Sequence, residues 1–265
     1  MPRLGVITCQ VLELEFVHLL ANDPGVERIS VIEDEFSAEL IDRLSTGTQK
    51  TVQRISRADT LRPHEKKGFS VLVQVMKVGL HSNIPLLKEE VKTAVSQMAP
   101  FVDAVLLGYG LCGNALVDAG DLFKEVPVPV SLPMEKDEPV DDCVGLIIGG
   151  RENYYQEQCL CAGTMFMNAG FSRHWEKILA FEVPEKLKDK TEKIVKIMMG
   201  SYKRCLLLPT PVLGEADLRK NTAKFSEKHG LDTQTRPGTL DLLDAAWEQA
   251  KQNAASAAGT GDKAT

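Results

Sequence analysis

The amino-acid sequence predicts an α/β protein built on a mostly parallel, Rossmann-like sheet with helices on both faces. Two observations lead to this fold class. Short runs rich in β-branched residues alternate with segments of helical periodicity along almost the whole chain, which is the pattern of strand-helix-strand units. A glycine-rich turn also follows an apolar run at residues 101–114, FVDAVLLGYGLCGN, and open parallel sheets bind ligands at such strand ends.

The first half of the chain alternates strand and helix patterns. We predict strands at residues 4–8, 28–32, 69–78 and 104–107. We predict helices at residues 12–20, 37–44 and 86–98. The last of these helices has clear amphipathic spacing. Residues 45–68 are polar and are interpreted as an irregular excursion from the sheet, whereas residues 79–85 form a loop with a helix start at Pro85.

The second half repeats this alternation. A short helix is expected after the glycine-rich turn, followed by the segment 128–132 and an acidic loop that leads into Asp142 and Cys143. We predict strands at residues 164–167, 205–208 and 233–235. We predict helices at residues 144–148, 172–180, 184–199, 216–229 and 240–250. Gly149 and Gly150 are expected to kink or end the first of these helices, and Ser172 is expected to cap the second.

The length of 265 residues suits one large domain with a substantial core. We assign residues 1–252 to a single α/β domain, open to a two-lobed arrangement with a cleft between the lobes and a loose boundary near residues 132–137. Residues 253–265, NAASAAGTGDKAT, are small and polar. We therefore expect them to form a disordered tail.

Charge and hydropathy exclude two classes of partner. The net charge is -6 and the pI is near 5.5, and no basic stripe with interleaved aromatic residues is found, so we expect no nucleic-acid partner. No segment reaches the roughly 18 consecutive apolar residues of a membrane helix, and the first residues lack a signal pattern. We therefore expect a cytoplasmic protein with no membrane partner. A small-molecule substrate is the expected partner, and homo-oligomerisation is left open.

The glycine-rich turn is the first candidate for a ligand site. Glycine permits positive φ and a close approach of the backbone to a ligand. The candidate cofactor-binding residues are Gly108, Tyr109, Gly110, Gly113 and Asn114. The G-x-G-x-x-G spelling also matches the dinucleotide fingerprint. A nicotinamide or flavin nucleotide is nevertheless the weaker interpretation, because a proline-broken segment at residues 127–133 follows without a strong helix in between.

Cys112 lies within this turn, close to the end of a predicted strand. Unpaired N–H groups at the start of the following helix would favour a negative charge, and a thiolate carries one. We therefore expect the pKa of Cys112 to lie below that of a free thiol.

Three further donors lie at the ends of predicted elements. Cys9 and His81 each follow an apolar strand run, and Cys143 opens a helix behind the acidic loop. Because the carboxyl ends of parallel strands meet at one edge of a sheet, Cys9 and Cys112 should lie on the same edge. The candidate metal ligands are Cys9, His81, Cys112 and Cys143. Such donors suit zinc or a related transition metal, and three protein ligands would leave a position open for substrate.

The alternative interpretation is that the cysteines only pack. Free cysteine is among the most buried residue types and usually behaves as a small hydrophobic residue, and none of the candidate ligands forms a CxxC pair. The shared position of the candidate ligands at the ends of predicted elements is what favours a metal site. Cys205, in contrast, starts a buried strand and is expected to pack. Arg151 follows two glycines and suits the anionic group of a substrate, with a surface ion pair as its alternative.

Five sequence blocks resemble one family. They are ITCQVL with Cys9, GLHSNIP with His81, LLGYGLCGN with Cys112, DDCVGLIIGGRENY with Cys143 and Arg151, and AGTMFMNAGF at residues 162–171. Together they resemble the family catalogued as domain of unknown function 1638, of anaerobic archaea and bacteria, over residues 4 to about 243. Its members often lie near genes for corrinoid-dependent methyltransferases, which implies a part in one-carbon metabolism.

One block departs from the family pattern. Relatives commonly have His-Asp-Cys where this chain has Asp141, Asp142 and Cys143. If that histidine is a ligand in the relatives, a carboxylate replaces it here. The metal would then be held by a harder oxygen ligand in place of the imidazole nitrogen, or it would not be bound.

Three hypotheses for the function follow. The first is a metal-dependent enzyme or accessory subunit in methyl or other one-carbon transfer, acting on a small molecule or a corrinoid protein. In this hypothesis the three cysteines are ligands, His81 is the fourth ligand or a general base, and Arg151 is an anion clamp. The second is a corrinoid-binding or tetrapyrrole-binding module without catalysis of its own, although the usual corrinoid-binding sequence Asp-x-His-x-x-Gly is absent. The third is a nucleotide-binding or scaffold protein whose cysteines pack.

Overall fold

Six parallel strands form the larger sheet of the protein. In the computed structural model, which describes residues 1–61 and 68–261, these strands are β1 (Arg3–Cys9), β2 (Val26–Ile32), β3 (Thr51–Ile55), β4 (Phe69–Met76), β5 (Ala104–Gly108) and β6 (Val130–Ser131). Their order across the sheet is β3-β2-β4-β1-β5-β6. Every neighbouring pair is parallel, so all the carboxyl ends lie at one edge.

Helices cover both faces of this sheet. They are α1 (Glu13–Asn22), α2 (Ala38–Gly47), α3 (Ile84–Met98) and α4 (Ala119–Leu122). Side chains alternate across β1, so that Leu4 and Val6 share a core with α1 and α2 while Ile7 shares a core with α3. The chain leaves β1 toward β2 on one side and crosses from β4 to β5 on the other. The strand order therefore reverses direction between β1 and β4, where open sheets form a ligand crevice.

A smaller parallel sheet is built by the second half of the chain. It contains β9 (Thr164–Met167), β10 (Arg204–Leu207) and β11 (Asp232–Thr235) in the order β11-β10-β9. A two-stranded hairpin, β7 (Met134–Glu135) and β8 (Glu138–Pro139), precedes it. The remaining helices are α5 (Cys143–Ile148), α6 (Arg151–Leu160), α7 (Ala169–Phe181), α8 (Thr191–Met199), α9 (Glu215–His229) and α10 (Asp241–Gly261). Helix α10 returns to pack on β5 and β1 of the first sheet.

The predicted α/β class with a mostly parallel sheet is confirmed. The prediction of an irregular excursion at residues 45–68 is wrong where β3 pairs with β2, and residues 62–67 lie outside the described structure. Strand β3 is at the edge of the sheet and has only one buried residue, Ile55. An edge strand needs one hydrogen-bonded neighbour and little apolar surface, so its sequence carries a weak hydrophobic signal. None of the helices in residues 1–61 and 68–261 is long and apolar enough to cross a membrane.

The predicted cap of α7 is also wrong. The helix begins at Ala169, and the side-chain Oδ1 of Asn168 accepts a hydrogen bond from Phe171 N at 2.8 Å. Ser172 lies inside the first turn and is buried. Asparagine, like serine, is favoured at the N-cap position, so Asn168 takes this role one turn before the predicted residue.

The expected disorder from residue 253 is contradicted by α10, which continues to Gly261. Ala250 and Ala254 are fully buried, and the indole Nε1 of Trp247 donates to Asp23 Oδ2 at 2.7 Å. An alanine-rich segment has high helix propensity, and here it also has a surface to pack against. Residues 262–265 of the expected tail lie outside the described structure.

Adjacent alanines near the end of α10 test this docking. Ala254→Glu places a carboxylate at a fully buried position, so we expect the free energy of unfolding to fall by more than about 3 kcal/mol. Ala255→Glu, at an exposed position one residue on, should change it by less than about 0.5 kcal/mol. Urea unfolding of both variants measures the difference, and equal, small effects would show that α10 is not docked at this point.

Candidate functional site

Three cysteines from separate chain segments converge at the carboxyl edge of the larger sheet. Cys9 ends β1 and pairs with Met76 of β4, and the neighbouring strand β5 leads to Cys112. Cys9 packs against the same apolar cluster as Cys112 and against a second cluster together with Cys143. The three thiols lie close enough for the charge of one to raise the pKa of another. The structure therefore brings together three of the four predicted metal ligands.

Gly110 is what allows two of these segments to meet. A β-carbon at this position would lie 2.5 Å from Asp142 Cα and 2.6 Å from Asp142 N, so a larger residue would push the two backbones apart. Next to it, Leu111 N donates to Val140 O at 2.8 Å, and Cys112 N donates to Asp141 O at 2.9 Å. The glycine-rich turn is thus hydrogen-bonded to the segment that leads into Cys143.

Asp142 and Arg151 hold the Cys143 segment in place. Asp142 Oδ1 accepts from Gly145 N at 2.7 Å and caps α5, of which Cys143 is the first residue. Arg151 donates to both carboxylate oxygens of Asp141 at 2.9 and 2.8 Å and to Glu138 Oε2 at 2.7 Å. These two carboxylates raise the pKa of Arg151. Its guanidinium is therefore already engaged by carboxylates, which favours a positioning role over the predicted capture of a substrate anion.

The expectation of an acidic Cys112 is contradicted, because burial raises its pKa well above the ordinary thiol value, with further contributions from Cys9 and Asp142. No helix N-terminus follows the turn directly, since α4 begins only at Ala119. Burial also raises the pKa of Cys9 to about 11 and that of Cys143 well above its usual range. At neutral pH all three sulfurs are protonated unless a cation stabilises the thiolates.

Helix α1 carries two buried carboxylates that lie close to the thiols. Glu13 and Glu15 are both fully inaccessible to solvent. Glu13 Oε1 is 3.4 Å from Arg173 Nη1 and 3.5 Å from His174 Nε2, both on α7. Neither oxygen of Glu15 has a hydrogen-bond partner on another residue in the part of the chain that the structure describes. Burial raises the pKa of Glu15 to about 7, and its charge acts on Cys9 and Cys143.

Other buried polar atoms near the thiols also have no partner among the described residues. The hydroxyl of Tyr109 is one of them, and burial, followed by the charges of Cys9 and Cys112, raises its pKa. The amide Nδ2 of Asn168, the N-cap residue of α7, also has no partner among the described residues. Buried polar groups in native proteins nearly always have a partner in protein, water or a bound ion. Their gathering at this edge makes it the strongest candidate site of the chain.

His81 lies beside this cluster rather than within it. It occupies a short 3-10 turn, Leu80–Ser82, and its Nε2 is 3.1 Å from Glu182 Oε1, which also accepts from Ser82 Oγ. Burial raises the pKa of Asp142, and the nearby charge of His81 partly offsets that rise. Across residues 1–61 and 68–261, no group of three or more His, Cys, Asp or Glu side chains is arranged to hold a metal ion.

The predicted cofactor-binding residues of the glycine-rich turn lie in two different environments. A β-carbon at Gly108 would collide with the ring of Phe16, and Tyr109 is buried, so this part of the turn is packed against the protein itself. Gly113 and Asn114 both have φ of 67° and line an open cleft of about 320 Å³. Because residues 112–118 form turns rather than a helix, the arrangement lacks the helix N-terminus on which the dinucleotide fingerprint depends.

Sequence reasoning missed Glu13 and Glu15. The available signal was the spelling LELEFVHLL at residues 12–20, in which two acids lie between apolar residues on a helix that the sheet must cover. The apolar periodicity of this segment predicts a helix but does not show that both acids are buried.

The fold and this edge define an open parallel α/β protein with a thiol-lined, carboxylate-backed site at its strand ends. The chain belongs to the family described as Protein of unknown function (DUF1638), whose model matches residues 75–247, more than half of the chain. This confirms the family resemblance of the sequence blocks. The matched region includes His81, Cys112 and Cys143 but begins after Cys9 and Glu15. No curated protein and no solved structure matches the chain.

The buried carboxylate gives a pH dependence that can be measured on metal-free protein. The pKa of Glu15 is about 7 in the folded state, whereas an unburied glutamate titrates near 4.5. The stability contributed by its protonated form is therefore fully present below pH 4.5 and is lost as pH rises through 7. Glu15→Gln cannot ionise, and we expect it to exceed the wild type in unfolding free energy at pH 8 by on the order of 3 kcal/mol. At pH 5 the two should be close.

Urea unfolding at both pH values, with chelator present, measures this difference. Glu90→Gln, on the exposed face of α3, serves as the matched control and should show no such gain. A Glu15→Gln variant with the pH dependence of the wild type would contradict the burial of an ionisable carboxyl at this position.

Proposed function

We propose that this protein binds a zinc-like metal ion through Cys9, Cys112 and Cys143 and acts in methyl or other one-carbon transfer. The observation that carries the proposal is the convergence of three thiols from three chain segments, next to a fully buried carboxylate with no partner on another described residue. Zinc sites in enzymes commonly combine three protein ligands with one open position.

The chemistry of the donor set fits such an ion. Burial raises the pKa of all three thiols, so in the absence of a cation their protonated forms are inert as nucleophiles. A metal ion would favour the thiolates and release their protons. The unpartnered polar atoms of Tyr109 and Glu15 could then interact with the ion or with its bound water. This interaction would offset the free-energy cost of burying them.

Binding requires the ligands to close in, since no preformed group of three donors is found in the described residues. Cys9 and Cys143 lie at the ends of a central strand and a capped helix. Cys112, in contrast, has φ of 46° in a run of turns, and such left-handed backbone in a non-glycine residue is strained. We expect the turn that carries Cys112 to make the adjustment.

Neighbouring residues have supporting roles in this proposal. Glu15 in its protonated form is a donor for a ligand sulfur, as residues behind the ligands commonly are in metal sites. Arg151 positions Cys112 and Cys143 through Asp141, whose carbonyl accepts from Cys112 N. A bound zinc ion would lower the pKa of an acceptor thiol or water and hold it for attack on the transferred group.

The one-carbon part of the proposal is supported by the gene neighbourhood that the family resemblance implies. The acceptor would be a small molecule or a corrinoid protein. A cleft of about 320 Å³ is lined by Gly113 and Asp142, the chain neighbours of Cys112 and Cys143, and by Tyr154. In this proposal the small acceptor occupies that cleft.

Zinc binding by protein purified without oxygen tests the site. We expect the wild type to take up one equivalent in competition with a chromophoric chelator. Serine substitution of Cys9, Cys112 or Cys143 should each weaken binding by at least about tenfold, because a hydroxyl is a poor ligand for zinc at neutral pH. Cys205→Ser is the matched control, since Cys205 is buried in the smaller sheet beside Ser226.

Zinc content well below one equivalent in the wild type, or equal losses in Cys205→Ser, would contradict the proposal. His81→Gln reports on the fourth predicted ligand. Because the imidazole already interacts with Glu182, we expect this variant to weaken zinc binding much less than the cysteine substitutions do.

A further inference from the structure

A second cleft opens at the crevice between β1 and β4, and the one-carbon proposal does not involve it. Its volume is about 510 Å³. Gln10 follows β1 and Lys77 follows β4, so one wall comes from the two strands between which the sheet order reverses. Helix α7 supplies the opposite wall with Lys177 and Phe181. Open α/β sheets bind their ligands in such crevices.

The charge of this cleft is opposite to that of the chain. Its lining includes the lysines 77, 177 and 188 and one acid, Glu35, whereas the whole chain has a net charge of -6. Lys77 and Lys177 are exposed, and neither forms an ion pair with a carboxylate in the part of the chain that the structure describes. A concave surface with excess positive charge raises the local concentration of anions.

Polar and aromatic groups complete the lining. Gln10 is buried and its Oε1 accepts from Val78 N at 3.2 Å, which ties the loops after β1 and β4 together. Because Gln10 also lines the cleft, this hydrogen bond fixes its side-chain amide beside the cleft. Lys77 Nζ lies 4.4 Å from the centroid of the Phe181 ring, and Phe36 lines the other side. The two rings offer apolar surface to the body of a ligand.

We propose that this cleft binds a small molecule that carries an oxyanion group, phosphate or carboxylate, on an apolar or planar body. The oxyanion lies between Lys77 and Lys177, within reach of the Gln10 amide, and the body lies against Phe36 and Phe181. Gln10 directly follows Cys9 in the chain, so a ligand bound here sits beside the thiol edge. The proposal concerns binding by metal-free protein and stands independently of the metal site.

Calorimetric titration of metal-free protein at constant ionic strength tests the cleft. The probes are inorganic pyrophosphate and succinate, which separate a phosphate site from a carboxylate site. We expect saturable binding of one or both with a stoichiometry of one. Lys77→Met and Lys177→Met should each weaken it by at least about fivefold, as loss of one charged hydrogen bond does, whereas Lys77→Arg should retain most of it.

Lys92→Met, an exposed lysine of α3 outside the cleft, is the matched control and should leave binding unchanged. Binding of pyrophosphate alone assigns a phosphate ligand, and binding of succinate alone assigns a carboxylate. If neither probe saturates the protein up to about 10 mM, the proposal is overturned. An equal loss in Lys92→Met would also overturn it, because it would mean that binding follows overall charge.

Discussion

The parallel pairing of β1 with both β4 and β5 is the constraint on which the candidate site depends. The register aligns Cys9 with Met76 on one side and Thr8 with Gly108 on the other, so the segments that leave these three strands must meet at one edge. More than a hundred residues separate Cys9 from Cys112 in the chain. The pairing of the strands, and not local structure, therefore brings the two thiols together. Gly110 then admits the backbone of Asp142, and the third thiol joins the same edge.

At this edge the charged forms of the thiols and of Glu15 are unfavourable without a cation, which is why we propose a metal ion there. Desolvation by burial is the largest cause of each raised pKa. Unpartnered buried polar groups cost free energy, and a stable protein retains them where a ligand or function compensates for that cost. The nearby lysine cleft would bring a second, anionic participant to the same crevice.

Much of the fold could be predicted because its central strands are apolar on both faces, and buried strands of this kind carry a strong hydrophobic signal. Strand β3 escaped prediction because an edge strand needs little apolar surface. The end of α10 escaped it because alanine suits both a polar tail and a buried helix, and only the surface near Asp23 and β5 decides between them. The positions of Cys9 and Cys112 at one edge followed from strand ends alone. Cys143 begins a helix, and its place beside them depends on the close approach of Gly110 and Asp142. The raised pKa of Cys112 and the lack of a hydrogen-bond partner for Glu15 could not be predicted, because both depend on how the surrounding elements bury these side chains.

In the proposed site, Cys9, Cys112 and Cys143 act together as metal ligands. X-ray absorption spectroscopy at the zinc edge of the loaded protein tests this assignment most directly, because sulfur ligands lie at about 2.3 Å from zinc and nitrogen or oxygen ligands at about 2.0 to 2.2 Å. We predict a shell of about three sulfur atoms that loses one member in Cys112→Ser and none in Cys205→Ser. A zinc environment made only of nitrogen and oxygen, or one that Cys112→Ser leaves unchanged, would contradict it.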